Sequence, residues 1–242
     1  MLNYDQLARD YDARGYLIID EFFPPEKIAE IEQELARYIR QIEPAQSAGF
    51  VVYEPNTDGK IRNLFAMEKL DDYFAQLAKA PELITLASTI FDDAPISMGV
   101  ELFGKPARVG SEVPYHQDNA YFNLIPDQAL TIWLALADAT LDNGCVRYIE
   151  GSHKFGNLPH RASGVKGNSM GLTELPADAG QEICGIVRRG GALVHHCNTI
   201  HRSEPNRSDA DRPGLLFVFK AARCKMDTDR LAHYHSVLAA MK

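Results

Sequence analysis

Leu130-Thr-Ile-Trp-Leu-Ala-Leu136 is the clearest strand in the chain. Leu130, Ile132, Leu134 and Leu136 fall on one face, because side chains two residues apart point the same way along a strand. Downstream, Asn143-Gly144 signals a tight turn ahead of Cys145-Val-Arg-Tyr-Ile149. Ile183 to Val187, Gly191-Ala-Leu-Val194 and Leu215-Leu-Phe-Val-Phe219 read as further short strands. Upstream, Ile96 to Phe103 alternates loosely as a strand after Pro95. Before it the chain is mainly helical through residue 92. A short helical pattern runs from Asp5 to Gly15, and Tyr16-Leu-Ile-Ile19 reads as a buried strand. Pro24 and Pro25 then open a helix, with Ile28, Ile31, Leu35, Tyr38, Ile39 and Ile42 at helical spacing. Residues 44–62 are irregular apart from a β-like Phe50-Val-Val-Tyr53. Two apolar stripes come next, one from Leu70 to Leu77 and one from Leu83 to Phe91. Helices first and many short strands afterwards indicate an α+β fold, a barrel or sandwich with helices packed outside. With no repeat, low-complexity tract or linker, residues 1–242 are expected to form one domain.

The chain has 242 residues, 45% hydrophobic and 24% charged, ordinary figures for a globular protein with a sizeable core. Its formal net charge of -8 and the lack of any Lys/Arg run argue against a nucleic-acid or anionic-membrane partner. No apolar run approaches the roughly 20 residues that span a bilayer, and Met1-Leu-Asn-Tyr-Asp5 does not read as a signal peptide. Cys145, Cys184, Cys197 and Cys224 show no C-x-x-C spacing, which argues against a zinc knuckle or a disulfide framework. Reduced thiols in the cytoplasm are the expectation.

Val113-Pro-Tyr-His-Gln-Asp118 places an imidazole and a carboxylate two residues apart, at His116 and Asp118. On a strand both reach one point while Gln117 faces the other way. By itself His-x-Asp is a weak motif, more often a hydrogen-bonded pair than a metal site. A third nitrogen ligand would complete two histidines and a carboxylate, a set that leaves coordination positions open for iron and oxygen chemistry. His195, His196 and His201 all qualify chemically. The residues after His201 separate them. Ser203 and Arg212 come next, and an arginine entering the following strand can converge on the same pocket across the turn. A guanidinium fork beside a hydroxyl suits the distal carboxylate of 2-oxoglutarate, although a surface arginine and a capping serine are the plainer reading of that spacing.

These segments together resemble the phytanoyl-CoA dioxygenase family of Fe(II)/2-oxoglutarate-dependent oxygenases. The resemblance rests on Gly104-Lys-Pro106, Tyr115-His-Gln-Asp118, Thr131-Ile-Trp-Leu-Ala-Leu136, Asp138-Ala-Thr140, Asn143-Gly-Cys-Val-Arg147, Gly151-Ser-His-Lys154, His201-Arg-Ser203, Pro205-Asn-Arg-Ser208 and Arg212. It spans roughly residues 95–220, with a weaker match from Gly15 to Phe22. It implies a double-stranded β-helix (a jelly roll, cupin-like) over about 95–222, with helices of residues 1–92 outside one sheet. It implies His116, Asp118 and His201 as iron ligands, and Arg212, Ser203, Trp133 and Arg62 at the 2-oxoglutarate pocket. Tyr115 stands where many relatives have tryptophan, and Glu101 where some have an apolar residue. His153 is taken as structural, His195 and His196 as packing groups of which one could orient the site, and His160, His233 and His235 have no assigned role.

The resemblance also implies the reaction. With Asp118 in place there is no vacancy for a halide, so hydroxylation of an unactivated C–H is the default, using O2 and releasing succinate and CO2. Desaturation, cyclisation or epimerisation are the alternatives within the class. Outside it stands a non-catalytic metal-binding β-barrel; a zinc hydrolase lacks a well-placed general base. The substrate is expected to be a small molecule, an amino-acid derivative or a secondary-metabolite intermediate, since no basic patch awaits a CoA diphosphate. Gln117, Asn119 and Tyr121, the 44–62 segment and a lid at 155–181 are the candidate selectivity elements. Composition leaves the oligomeric state open.

Overall fold

The computed structural model describes residues 2–46 and 49–239. Helix α1 (Tyr4–Arg14) is capped by the Asn3 side chain, which accepts from the Gln6 N–H, and ends at Gly15 in the left-handed region. Gly15 is also a point of close approach. A Cβ there would lie 2.3 Å from His153 Nδ1, and its carbonyl accepts hydrogen bonds from His196 N and Thr199 Oγ1. The first half continues through β1 (Tyr16–Ile19), α2 (Pro25–Gln41), β2 (Val51–Tyr53), β3 (Ile61–Leu64), α3 (Met67–Leu70), α4 (Asp72–Leu77) and α5 (Pro81–Phe91). The β-rich half comprises β4 (Pro95–Lys105), β5 (Val113–His116), a helical turn α6 (Asn119–Phe122), β6 (Leu124–Ile125), β7 (Ala129–Ala135) and β8 (Val146–Ile149). It goes on with β9 (His160–Val165), β10 (Asn168–Leu172), β11 (Glu182–Cys184), β12 (Ala192–His196), β13 (His201–Ser203), β14 (Arg212–Ala221), β15 (Lys225–Met226) and α7 (Thr228–Ala239).

Two antiparallel sheets carry the fold. The larger has the order β1-β12-β7-β14-β4-β3-β2, the smaller β11-β8-β13-β5. Alternation decides what each face meets. Leu130, Ile132 and Leu134 of β7 and Leu215, Phe217 and Phe219 of β14 pack with Ile28, Ile31, Leu83 and Leu86 of the helices. Trp133, Ala135 and Leu193 turn the other way, onto Val146 and Tyr148 of the small sheet. The helices therefore cover one face of the large sheet, and the space between the sheets is left for the site. The first 92 residues are less purely helical than their stripes indicate, since β1, β2 and β3 complete the large sheet.

The Gly/Ser/Asn-rich excursion at 151–181 is not a structureless loop. It contains the β9–β10 hairpin, with Asn168 opposite Val165. Gly164 and Gly167 take positive φ, so the glycines of this stretch supply turn conformations. All four cysteines are free. Among the described residues no helix is long and apolar enough to cross a membrane.

Gly214 on β14 faces Trp133, and a Cβ there would sit 2.0 Å from the indole ring. Gly214→Ala is therefore expected to displace Trp133 and cost about 1–3 kcal/mol. Denaturant unfolding, together with the emission of the single tryptophan, measures both effects.

Candidate active site

The two histidines meet because their strands do. β5 and β13 pair with His116 directly opposite His201, and the rings lie 4.1 Å apart between centroids. Each ring is turned the same way by its own backbone. His116 Nδ1 donates to Pro114 O at 2.9 Å and His201 Nδ1 to Thr199 O at 2.9 Å. That leaves both Nε2 lone pairs facing Asp118 Oδ1, each at 3.6 Å. The three ligand atoms lie within 4.8 Å of one another. Asp118 reaches this point by a different route from the i, i+2 strand reading. β5 ends at His116, and Asp118 has helical φ and ψ at the start of α6.

Asp118 uses its second oxygen for orientation. Oδ2 accepts from Thr131 Oγ1 at 2.6 Å and from His195 Nε2 at 3.0 Å. The Tyr148 hydroxyl donates in turn to His195 Nδ1 at 3.1 Å, which fixes the His195 tautomer. This relay leaves Oδ1 free while the carboxylate cannot rotate, the usual office of groups behind a metal ligand. Burial alone would raise the Asp118 carboxyl, but the His201, His195 and His116 rings around it reverse this and hold it well below the ordinary range. Burial pushes His201 and His116 down. An ionised carboxylate and two neutral imidazoles are the forms that bind a cation.

A cavity of about 340 Å³ opens on this triad. Ser203, two residues from His201 on the same strand, and Arg212, at the start of β14, both line it. The turn between them is braced by Asn206, whose side chain donates to Lys105 O and Ala210 O. Arg212 is buried, with its guanidinium 4.8 Å from the centre of the Trp133 ring. Burial lowers its pKa to about 10, still charged at neutral pH. Its Nε and Nη1 have no hydrogen-bond partner among the described residues. A buried, unpaired charge is expensive, and an anion at this end of the cavity would offset that cost.

Not every expected residue arrives. Tyr121 lines the cavity and bonds to Asn168 Oδ1 and Met170 O of the hairpin. Gln117 and Asn119 do not line it. Gln117, just past the end of β5, is fully buried and tied to Gly156 O, Asn198 O and Leu158 N. Asn119 is occupied by Asp127 Oδ1 and by both polar backbone groups of Leu124. Arg62 is also outside the lining. Its guanidinium is neutralised by Glu54 at 3.3 Å and donates to Glu112 O, so it has no free fork to offer. Thr131 and Tyr148 were not singled out by sequence, although Thr131 is the polar exception in an otherwise apolar strand. Glu101, whose direction the sequence leaves open, points into the cavity. His153 and His160 make backbone bonds, to Asp12 O and Leu158 O.

The profile of the family described as Phytanoyl-CoA dioxygenase (PhyH) matches residues 11–214. The chain belongs to the phytanoyl-CoA dioxygenase family. It is accordingly an Fe(II)/2-oxoglutarate-dependent dioxygenase, with Fe(II) and 2-oxoglutarate as cofactor and co-substrate. It is 25% identical over 254 residues to the "Phytanoyl-CoA dioxygenase" of Arabidopsis thaliana, covering 90% of this chain and 89% of that protein. Two solved structures share the fold. EctD from S. alaskensis with 2-oxoglutarate and 5-hydroxyectoine superposes with a TM-score of 0.75 at 21% identity, covering 92% of this chain and 77% of that one. The epimerase SnoN, in complex with Fe3+, alpha ketoglutarate and nogalamycin RO, gives 0.74 at 21%, covering 92% and 85%.

Burial, with Asp118 and Glu68 nearby, pushes the Glu101 carboxyl up from 4.5 to about 8. Between those values the unfolded chain has released a proton that the folded one keeps, so stability is lost as pH rises across the window. Glu101→Gln should therefore gain on the wild type between pH 4.5 and 8. Denaturant midpoints of both proteins across that range give the comparison, and a constant difference would refute the assignment.

Proposed function

We propose that this protein hydroxylates an unactivated C–H bond of a small molecule, with His116 Nε2, Asp118 Oδ1 and His201 Nε2 holding Fe(II) and Arg212 holding 2-oxoglutarate. The observation that carries the reading is the unpartnered buried guanidinium of Arg212 in the same cavity as the His-Asp-His cluster. A scaffold that merely bound a metal would have no need to bury a free cation beside it. The donor set fits the metal: two imidazoles and one carboxylate, with open cavity on the remaining side. The strand orders β12-β7-β14-β4 and β11-β8-β13-β5 support a double-stranded β-helix, eight strands in two facing sheets. The cavity and both sheets draw on residues from Tyr16 to Tyr234, which supports one domain.

When bound, Fe(II) would activate O2, the oxidant, with two electrons drawn from 2-oxoglutarate as it goes to succinate and carbon dioxide and two from the substrate C–H. The protein's own share is positional. Arg212 offers a charged fork to the distal carboxylate of 2-oxoglutarate, and Ser203 adds a hydroxyl within the same wall. Trp133, packed against Arg212, fixes the guanidinium plane and excludes water from behind it. Thr131, His195 and Tyr148 keep Asp118 ionised and oriented. Phe65, Phe103, Phe122 and Tyr234, with Val113, Leu216 and Val218, make much of the remaining lining apolar, which suits a small organic substrate held dry.

Anaerobic titration of the Fe(II)-loaded protein with 2-oxoglutarate should produce a visible charge-transfer band, and oxygen should then yield succinate. His201→Ala should abolish both. Arg212→Met should weaken 2-oxoglutarate binding by roughly 30-fold to several thousand-fold, the cost of losing a buried charge partner of about 2–5 kcal/mol. Wild-type affinity in that variant would sink the reading. Thr131→Val should lower iron affinity by about 10–100-fold, measured by competition with a chelator.

A further inference from the structure

Nearly every charged group around the cavity has a partner within the protein or a role in the proposed site. Arg202, on the wall, is held by Glu182 and Glu204. Asp118 is held by Thr131 and His195. Glu101 is the remainder. Its carboxyl lines the cavity, and among the described residues no group donates to it. Its charged surroundings are both acidic, Asp118 and Glu68. Glu68 sits behind it on α3, where Oε2 accepts from Val100 N. A Cβ added at Gly99 would lie 3.7 Å from Glu101 Oε1 and 4.0 Å from Glu68 Oε2, so the two carboxylates flank one point.

Arg212 does not neutralise Glu101. Along β4, Arg212 pairs with Lys105 and Leu216 with Glu101. Four residues of strand separate the two positions, roughly 13 Å at about 3.3 Å per residue. Glu101 lies instead toward the metal end, since Thr131, which holds Asp118, pairs with Val218, and Val218 pairs with Gly99. The cavity thus has a positive end for 2-oxoglutarate and an acidic wall near the triad, where the Glu101 carboxyl keeps its proton up to about pH 8 in the absence of a partner. The rings beside that wall are aromatic. Phe103 shares the Glu101 face of β4, and Phe65 meets it edge to face at 5.8 Å.

From this arrangement we infer that Glu101 receives a protonated nitrogen of the primary substrate, so that the substrate class is a cationic amine carried on a small organic body. The inference rests on the oxygenase reading of the cavity and adds its substrate chemistry. A carboxylate in a cavity that also presents aromatic rings can recognise an ammonium, amidinium or guanidinium group by charge and by the ring faces. Such a cation would favour the ionised form of Glu101, which burial and the neighbouring Glu68 otherwise disfavour, while a neutral substrate would meet a protonated carboxyl. Glu101 is a binding and positioning residue in this scheme, fixing which C–H of the substrate faces the triad.

The single tryptophan, Trp133, lines the cavity, so its emission reports occupancy without turnover. Pentylammonium and pentanol, probes of one shape and different charge, are titrated into anaerobic protein loaded with Fe(II) and saturating 2-oxoglutarate. Above pH 8, where the Glu101 carboxyl is ionised, pentylammonium is expected to bind at least about 10-fold more tightly than pentanol, and the preference should fall below about 2-fold in Glu101→Gln. Equal binding of the two probes by the wild type, no response to pentylammonium, or a preference that survives in Glu101→Gln each overturns the inference. Glu101→Leu supplies a second reading. It should melt at a higher temperature than the wild type at pH 8, because an unpaired carboxylate kept for binding costs stability; a lower melting temperature would make Glu101 a structural residue and overturn the assignment. The oxygenase reading is judged separately, by the 2-oxoglutarate band and its dependence on Arg212. If that band holds and the cation preference fails, only the role of Glu101 falls. If the band fails, the probes are titrated without 2-oxoglutarate, and the same outcomes decide Glu101.

Discussion

The pairing of β5 with β13, His116 opposite His201, is the constraint on which the rest depends. A slip of one residue in either strand would send one imidazole to the far face. The pairing is protected from both sides. β13 is also held by β8, with His201 opposite Tyr148, and the Tyr148 ring is fully buried between the sheets. The same tyrosine sends its hydroxyl to His195. Register, tautomer and carboxylate orientation are thus fixed by one connected set of contacts, so the triad is set before any ligand arrives.

Around that rigid centre the cavity tolerates electrostatic discomfort. Arg212 is buried with donor atoms unused, while the Glu101 carboxyl lies among like charges. The buried Arg62, by contrast, is neutralised internally by Glu54. The contrast separates structural from functional charge better than burial does. Arg62 and Arg212 are equally sequestered from water, yet one is paired within the scaffold and the other has donor atoms without a partner among the described residues.

Local chemistry in the sequence pointed to much of this. The alternation at Leu130–Leu136 gives the helix-facing side of the large sheet, and the His-x-Asp pair, His201, Ser203 and Arg212 converge on one cavity. Where the reading departs from the structure, sequence proximity stood in for spatial proximity. Gln117 and Asn119 flank Asp118 in the chain, but the pleat and the turn into α6 send their side chains into backbone bonds elsewhere. Asp118 reaches the triad by a helical turn and not by strand alternation. The Thr131, His195 and Tyr148 relay joins three strands, and no spacing along the chain encodes that meeting. Glycines at 164 and 167 read as loop punctuation when they serve a hairpin turn.

The edge position of β1 governs the order in which the molecule can be assembled. Tyr16–Ile19 pairs only with Ala192–His196, and the Gly15 carbonyl waits for His196 and Thr199. During synthesis at about 5–20 residues per second, roughly ten to forty seconds separate the emergence of the two strands. Throughout that interval the apolar face of β1 has no strand to lie beside. His195 arrives with β12 and His201 only after it, so a nascent chain bearing His116 and Asp118 holds just two of its three ligands. The cluster of two imidazoles and a carboxylate is thus closed late in the chain, by the strand that carries His201.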